Sequence, residues 1–135
     1  MKVLGNLERS CKRGPDAWFT GMVWMDEVSE PTPPARAQAV LVAFAPGART
    51  AWHTHPLGQT LYIFSGIGWA QEKGQQAHVV RAGDVVVIEP GEVHWHGAEE
   101  AHTMTHFAMQ EMDDSGRNVV WGSAVTGEEY GAVNG

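Results

Sequence analysis

The chain has 135 residues, which is enough for one domain with its own core but leaves no room for a separate cofactor domain. Its formal net charge of -7 and its lack of a basic patch argue against binding to nucleic acid or to an anionic membrane, and favour a small, weakly polar substrate. Sixteen glycines, seven prolines and short apolar runs favour many short strands over long helices.

Membrane and secretion signals are weak in this sequence. No apolar run approaches the roughly 18 residues that a membrane span needs, and the apolar stretch at the start is too short for a signal peptide. We therefore expect a cytoplasmic protein. Cys11 is the single cysteine, so an intrachain disulfide is excluded, and we assign it no catalytic role.

The apolar pattern predicts about nine short strands separated by turns, which implies a sandwich or a barrel. Residues 1–36 are expected to form an N-terminal arm and connector, with a strand at 18–25 and a proline-rich extended loop at 30–34. Further strands are predicted at 37–44, 60–65, 67–72, 77–81, 84–88, 94–97, 103–110 and 117–121. Residues 123–135 form a C-terminal tail in which Thr126 and Glu129 match a capping box for a short helix. We therefore predict a single all-β domain over residues 1–135.

Two His-x-His pairs are the strongest chemical signal. Alternate side chains of a strand share a face, so His53 and His55 point the same way, as do His94 and His96. If both clusters face the interior of a barrel, His53, His55 and His94 can surround one divalent ion, with Gln59 Oε1 as fourth ligand. Ordinary alternation can also produce such pairs, but two turn-flanked pairs together favour a metal. Four neutral ligands would leave the ion a strong Lewis acid.

The strand predicted at 103–110 carries a mixed face. His106, Ala108 and Gln110 share it with Met104, a combination more typical of a cavity wall than of solid core. His106 could there act as a general base, because imidazole titrates near neutral pH; the alternative is a structural histidine bonded to a backbone carbonyl. On the strand at 37–44, Val40, Val42 and Phe44 share one face.

Other histidines and tryptophans carry less information. His78 and His102 belong to no cluster and are predicted to lie on the surface. The acidic balance argues against a nucleic-acid stacking platform, so four tryptophans are expected in the core or at an interface. These are Trp52, Trp69, Trp95 and Trp121.

The spacing of these residues resembles the cupins, a family of small β-barrels. Their first motif, Gly-x5-His-x-His-x3,4-Glu-x6-Gly, is matched by Gly47, His53, His55, Gln59 and Gly66, with glutamine where glutamate is usual. Their second, Gly-x5-Pro-x-Gly-x2-His-x3-Asn, is matched by Gly83, Gly91 and His94, with Pro90 displaced by one and Ala98 replacing asparagine. The match over residues 47–98 implies a cupin double-stranded β-helix, a jelly-roll barrel, and favours His94 over His96 as a ligand. Cupins include dioxygenases, isomerases, lyases and binders, so the fold alone does not decide the function.

Several segments, at residues 14–21, 46–60, 68–71, 91–97, 104–106 and 110–111, resemble the small bacterial manganese cupins that act as (R)-selective hydroxynitrile lyases. The resemblance implies Mn²⁺ ligands at His53, His55, Gln59 and His94, and pocket residues at Thr50, His96, His106 and Gln110. It implies a lyase that splits or forms a cyanohydrin, with His106 or His96 as the base. The aryl group would be received by Val40, Val42, Phe44 and Ala108.

Three questions stay open at this point. The donors suit Fe²⁺, Ni²⁺, Co²⁺ and Zn²⁺ as well as Mn²⁺. The same site could serve a dioxygenase of quercetinase or alkene-cleaving type, or belong to a non-catalytic small-molecule binder. Apolar strands with tryptophan at their edges suggest a homodimer or a homotetramer.

Overall fold

The structure, a computed structural model, describes residues 1–134, and β-strands dominate them. A 3₁₀ turn at Asn6–Glu8 precedes the strands. The strands are β1 Lys12–Arg13, β2 Phe19–Thr20, β3 Val23–Ser29, β4 Ala37–Phe44, β5 Arg49–Thr50, β6 His53–Thr54, β7 Gln59–Glu72, β8 His78–Arg81, β9 Val85–Ile88, β10 His94–Ala98, β11 Met104–Glu111 and β12 Val120–Trp121, followed by helix α1 Gly127–Asn134. No helix in this range is long and apolar enough to cross a bilayer.

The strands are ordered β1-β3-β4-β11-β7-β10-β5-β2, and every pairing is antiparallel. Strand β7 belongs to both halves of the barrel, because residues 59–66 pair with β11 whereas residues 68–72 pair with β10. The all-β prediction is confirmed, and the curled sheet is the jelly-roll barrel expected for a cupin.

Three predicted strands differ from the structure: the one at 117–121 is reduced to β12 Val120–Trp121, and glycines explain the other two differences. Gly66 and Gly68 do not separate two strands, since β7 runs through them. A Cβ on Gly66 would collide with the backbone of Thr103, and one on Gly68 with the carbonyl of Gly97, so these glycines allow strands to approach closely where β7 bends. Gly21, at φ 83°, instead divides the predicted strand at 18–25 into β2 and β3.

Helix α1 packs on the outside of the barrel through a second apolar cluster. Trp52, Trp95 and Tyr130 are buried there with Val125. The Tyr130 hydroxyl donates to the Ala98 carbonyl at 2.8 Å. The predicted capping box is confirmed: Glu129 N donates to Thr126 Oγ1 at 3.1 Å, and Thr126 N donates to Glu129 Oε1 at 2.9 Å.

The register of β4, β11 and β7 builds the inner wall of the barrel in rungs. Val42 lies opposite His106, and Ile63 lies on the other side of that histidine. The next rung is Val40, Ala108 and Leu61, and the third is Gln38, Gln110 and Gln59. Leu61 and Ile63 are fully buried, and burial of each such side chain contributes about 1.5–3 kcal/mol to the stability of the fold. The inner wall is therefore apolar at depth and carries a row of amides at one end.

Candidate metal centre

Strand pairing brings the two His-x-His clusters together. His53 on β6 lies directly opposite His94 on β10, and Trp121 on β12 lies opposite His53 on the other side. The ring centroid of His53 is 4.2 Å from that of His94 and 5.0 Å from that of His55. The structure thus brings together the three histidines predicted as ligands, all of them buried.

Each of these three histidines is anchored through Nδ1 to a backbone carbonyl. His53 Nδ1 is 2.8 Å from the oxygen of Ala51, His55 Nδ1 is 2.6 Å from that of Asn118, and His94 Nδ1 is 2.9 Å from that of Glu92. A carbonyl only accepts, so each neutral ring carries its proton on Nδ1 and keeps a lone pair on Nε2. This fixed tautomer is the one that metal-binding histidines use.

Gln59 completes the group with an oxygen. Its Nε2 donates to Gln110 Oε1 at 3.1 Å, which leaves Gln59 Oε1 facing His94 Nε2 at 3.4 Å. Both facing atoms are acceptors, since the His94 proton is on Nδ1. His55 Nε2 is buried without a hydrogen-bond partner. Buried acceptors that face one another without a donor are the arrangement that a cation satisfies, so the residues fit a divalent metal.

His96 also lies within the cluster. Ring nitrogens of His53, His94 and His96 all lie within 4.8 Å of one another, so distance alone selects His96 rather than His55. The hydrogen bonds favour His55, because His96 Nδ1 is 2.9 Å from His106 Nε2 instead of being anchored to a carbonyl. His53 and His94 belong to both sets. The assignment of His55 and Gln59 as the remaining ligands stays a prediction.

His96 and His106 form a buried pair. Their outer nitrogens, His96 Nε2 and His106 Nδ1, have no hydrogen-bond partner. The Nε2 atom of His106 is thus bonded to a neighbouring imidazole rather than to a backbone carbonyl. Thr50, predicted to lie near the pocket, accepts a hydrogen bond from the His96 backbone N at 3.2 Å and so fixes the strand that carries this histidine.

Burial keeps these imidazoles neutral. Desolvation is the largest cause of the lowered pKa of every histidine in the group, and neighbouring imidazoles lower the pKa of His53, His55 and His96 further. The pKa falls to about 4 for His55 and for His106, and well below the ordinary value for His53 and His96. At neutral pH the rings therefore carry no charge, and each keeps one unprotonated nitrogen.

A cavity of about 170 Å³ opens beside this cluster. Of the predicted pocket residues, Val40, Val42 and Ala108 line it, together with Thr50, His96, His106 and Gln110. Phe44 does not: its ring packs behind the wall, 5.3 Å from the centroid of His106. Phe44 does lie on the same face of β4 as Val40 and Val42, as predicted, but its position deeper in the barrel places it in the apolar core. A larger groove of about 720 Å³ runs along β8 and β9 on the outer side, but of the cluster it reaches only His94.

Sequence reasoning missed one aromatic side of the cavity. Trp121, expected in core or interface, lines it and lies 4.7 Å from the His53 ring centroid. Trp18 stacks on Trp121 at 5.2 Å and 8°, and Met25 adds to the same wall. No local pattern marks these residues, because Trp121 reaches the cavity through the pairing of β12 with β6 and Met25 through the pairing of β3 with β4. His78 and His102 are exposed, as predicted.

Comparison with known proteins agrees with this architecture. The cupin domain profile matches residues 40–107. A curated (R)-mandelonitrile lyase from Granulicella tundricola is 51% identical over 118 residues, covering 87% of this chain and 89% of the relative. A cupin-like protein from Thermotoga maritima, solved by crystallography, is 38% identical, with a TM-score of 0.84 and coverage of 90% of this chain and 91% of that one. A predicted oxalate decarboxylase from the same organism, 22% identical with a TM-score of 0.68 and coverage of 80% and 96%, shares the fold. The chain belongs to the cupin domain family.

Proposed function

We propose that the protein is a metal-dependent lyase that cleaves a cyanohydrin of the mandelonitrile type into an aldehyde and hydrogen cyanide, and forms it in reverse. The observation that carries this proposal is the buried, hydrogen-bonded His96–His106 pair, which lines a small, largely apolar cavity together with the metal-ligand candidates His53, His55 and Gln59. The identity of 51% to a protein named (R)-mandelonitrile lyase supports the same reaction.

The metal site follows from the donors described above. His53, His55, His94 and Gln59 would hold a divalent ion, for which we propose Mn²⁺ over Fe²⁺, Ni²⁺, Co²⁺ and Zn²⁺. When bound, the ion supplies Lewis-acid stabilisation of the negative charge that develops in the reaction. The carbonyl anchors at Nδ1 hold the three imidazoles in the tautomer that this role requires.

The His96–His106 pair can move protons without a net change in charge. One proton lies between His96 Nδ1 and His106 Nε2, and the neutral pair holds one more proton on an outer nitrogen. The pair therefore always keeps one lone pair and one N–H on its two outer nitrogens. The lone pair at His106 Nδ1 takes the hydroxyl proton as the C–C bond breaks, and the electron pair of the C–C bond leaves with cyanide. His96 Nε2–H then protonates the cyanide, and the proton between the rings moves to the other nitrogen.

Burial favours this neutral exchange over a charged intermediate. The lowered pKa of both rings means that an isolated imidazolium is unstable in this wall. A base that returns a proton as it receives one avoids that cost. His106, as the ring opposite Val42, is next to the apolar wall that we assign to the aldehyde side chain.

The apolar wall would orient the substrate and exclude water. Val40, Val42 and Ala108 form one side of the cavity, and Trp121 stacked on Trp18 forms another. The aromatic ring of a substrate would lie between the valines and the tryptophans, and the carbon that carries its hydroxyl and nitrile groups would then point toward the histidines. The substrate class we propose is therefore an aromatic cyanohydrin.

The deciding experiment is an assay of mandelonitrile cleavage with metal-free and Mn²⁺-loaded protein. We expect benzaldehyde release above the uncatalysed rate only with metal, abolished by chelation and restored by Mn²⁺. His102→Ala, at an exposed histidine, is the control and should keep the full rate. A loaded protein with no rate above background would refute the lyase. Metal analysis of protein purified without added metal would identify the native ion.

The other functions give different results in the same experiment. Cyanohydrin cleavage consumes no dioxygen, so oxygen uptake with flavonol or alkene substrates would instead favour the dioxygenase. Tight binding of aromatic ligands without turnover, insensitive to chelation, would favour a non-catalytic binder.

We also propose that the protein is a homodimer or a homotetramer in the cytoplasm, with no nucleic-acid or membrane partner. Large apolar side chains are exposed on the outer face of the sheet: Trp24, Tyr62, Phe64, Val87 and Met109. A face of this kind is typical of an interface between subunits. Light scattering coupled to gel filtration tests the assembly, and cell fractionation tests the location.

A further inference from the structure

Three glutamines stand opposite one another across the inner wall. Gln38 on β4 is the register partner of Gln110 on β11, and Gln110 is the register partner of Gln59 on β7. Directly opposite residues of antiparallel strands have Cβ atoms about 4.5–5.5 Å apart, so their amides can bond in a row. The row begins at half-buried Gln38 and ends at the fourth candidate ligand.

The hydrogen bonds in this row have one direction. Gln38 Oε1 accepts from Gln110 Nε2 at 2.8 Å and from Asn118 Nδ2 at 2.6 Å, which uses both lone pairs of that oxygen. Gln110 thereby turns its own Oε1 toward Gln59, whose Nε2 donates to it at 3.1 Å. The amide of Gln59 has then only Oε1 left for His94 Nε2 and the metal.

We propose that Gln38 is a positioning residue that sets this direction and so makes Gln59 present its oxygen, rather than its NH₂ group, to the metal. An amide has one oxygen and one NH₂ of nearly equal size, and only the oxygen can ligate a cation. Without an acceptor at position 38, Gln110 is free to turn over. Gln59 could then accept from Gln110 and turn its NH₂ toward the ion.

Asn118 connects a second ligand candidate to the same acceptor. Its backbone oxygen takes the Nδ1 proton of His55 at 2.6 Å, while its side chain donates to Gln38. Gln38 therefore tethers the segment that anchors His55 as well as the amide that orients Gln59. This inference rests on the proposed metal site but not on the reaction that the site performs.

The test is a titration of the metal-free full chain with Mn²⁺. The electron paramagnetic resonance signal of unbound Mn²⁺ measures how much of the ion has bound. Gln38→Met removes the acceptor and should raise the dissociation constant about tenfold, in the range seen when outer partners of metal ligands are removed. Gln38→Glu keeps an acceptor for both donors and should bind Mn²⁺ at least as tightly as the wild type. Gln76→Met makes the same change at an exposed glutamine and should have no effect. If Gln38→Met does not fold, Gln38→Ala removes the same acceptor.

A second background separates positioning from simple structural support. In Gln59→Glu the side chain has an oxygen on both sides and needs no orientation, so adding Gln38→Met should weaken Mn²⁺ binding much less than it does in the wild type, with only the loss of the Asn118 tether remaining. Equal binding by wild type and Gln38→Met would overturn the inference, as would an equal loss in both backgrounds. A wild-type protein that binds no Mn²⁺ would instead refute the metal site itself, and this inference with it.

Discussion

Removal of His106 is the most direct test of the proton transfer proposed for the site. His106→Ala deletes the nitrogen that we assign as base, and His106→Gln deletes it while placing an amide NH₂ near the position of Nε2, where it can still donate to His96 Nδ1. The two variants therefore separate loss of the base from loss of the contact with His96.

The magnitude follows from what remains after the substitution. A positioned acid or base contributes about 10²–10⁴-fold, or about 3–5 kcal/mol of barrier. In His106→Ala the outer nitrogen of His96 can still accept a proton but can no longer pass one on through His106, whereas in His106→Gln the amide NH₂ holds the His96 proton on Nε2, so that this nitrogen cannot act as the base. We therefore expect kcat to fall by about 10²–10³-fold, near the lower half of that range. The metal ligands are unchanged, so Mn²⁺ content should stay at the wild-type level.

The assay is steady-state cleavage of mandelonitrile by Mn²⁺-loaded enzyme, with metal content measured on the same samples. His106 is fully buried, and truncation of a large core side chain typically costs about 2–5 kcal/mol, so urea unfolding must show that the variants are folded at the assay temperature. Added imidazole should partly restore the rate of His106→Ala but not that of His106→Gln, which fills the space. An undiminished rate in folded, metal-loaded variants would refute this role for His106.

Three further substitutions test other parts of the structure. Gln59→Glu places a carboxylate among neutral donors, so Mn²⁺ should bind more tightly in dialysis while kcat falls because the ion is a weaker Lewis acid; an unchanged kcat would contradict this. Val42→Ala widens the wall opposite His106 and should raise kcat/KM about tenfold for ring-substituted mandelonitriles over mandelonitrile itself, whereas Leu41→Ala on the outer face should leave the ratio unchanged. Thr126→Ala removes the helix cap and should cost about 1 kcal/mol in urea unfolding at pH 7. The hydrogen bond from the Thr126 backbone N–H lowers the pKa of Glu129. The stability that this carboxylate contributes is therefore present above its unfolded pKa and is lost as pH falls through its folded pKa. Urea denaturation at a series of pH values should show the free energy of unfolding decreasing over that acidic range.

Much of the site could be predicted because its signals are local. The faces of His53 and His55, and of His94 and His96, follow from the two-residue repeat of a strand, and no distant contact is needed to infer them. The capping box of Thr126 and Glu129 is local in the same way. The turn residues likewise indicated an all-β chain before any pairing was known.

The positions that failed depend on contacts between distant segments. The sequence predicts a turn at Gly66, because no local pattern shows that Thr103 passes too closely to allow a side chain there. Phe44 alternates in phase with the pocket residues Val40 and Val42, but the register of β4 with β11 pairs it with Met104, beyond the end of the cavity. Trp121 reaches the cavity only because β12 pairs with β6, beside His53.

Composition and short spacing are enough to predict the strand-rich class, the acidic balance and the residues able to ligate a metal. They do not reveal which nitrogen each histidine leaves free, that His96 and His106 bond to each other, or that Gln38, Gln110 and Gln59 form a directed row. These features depend on the register between strands far apart in the chain, which is set by the packing of the whole barrel rather than by any one segment.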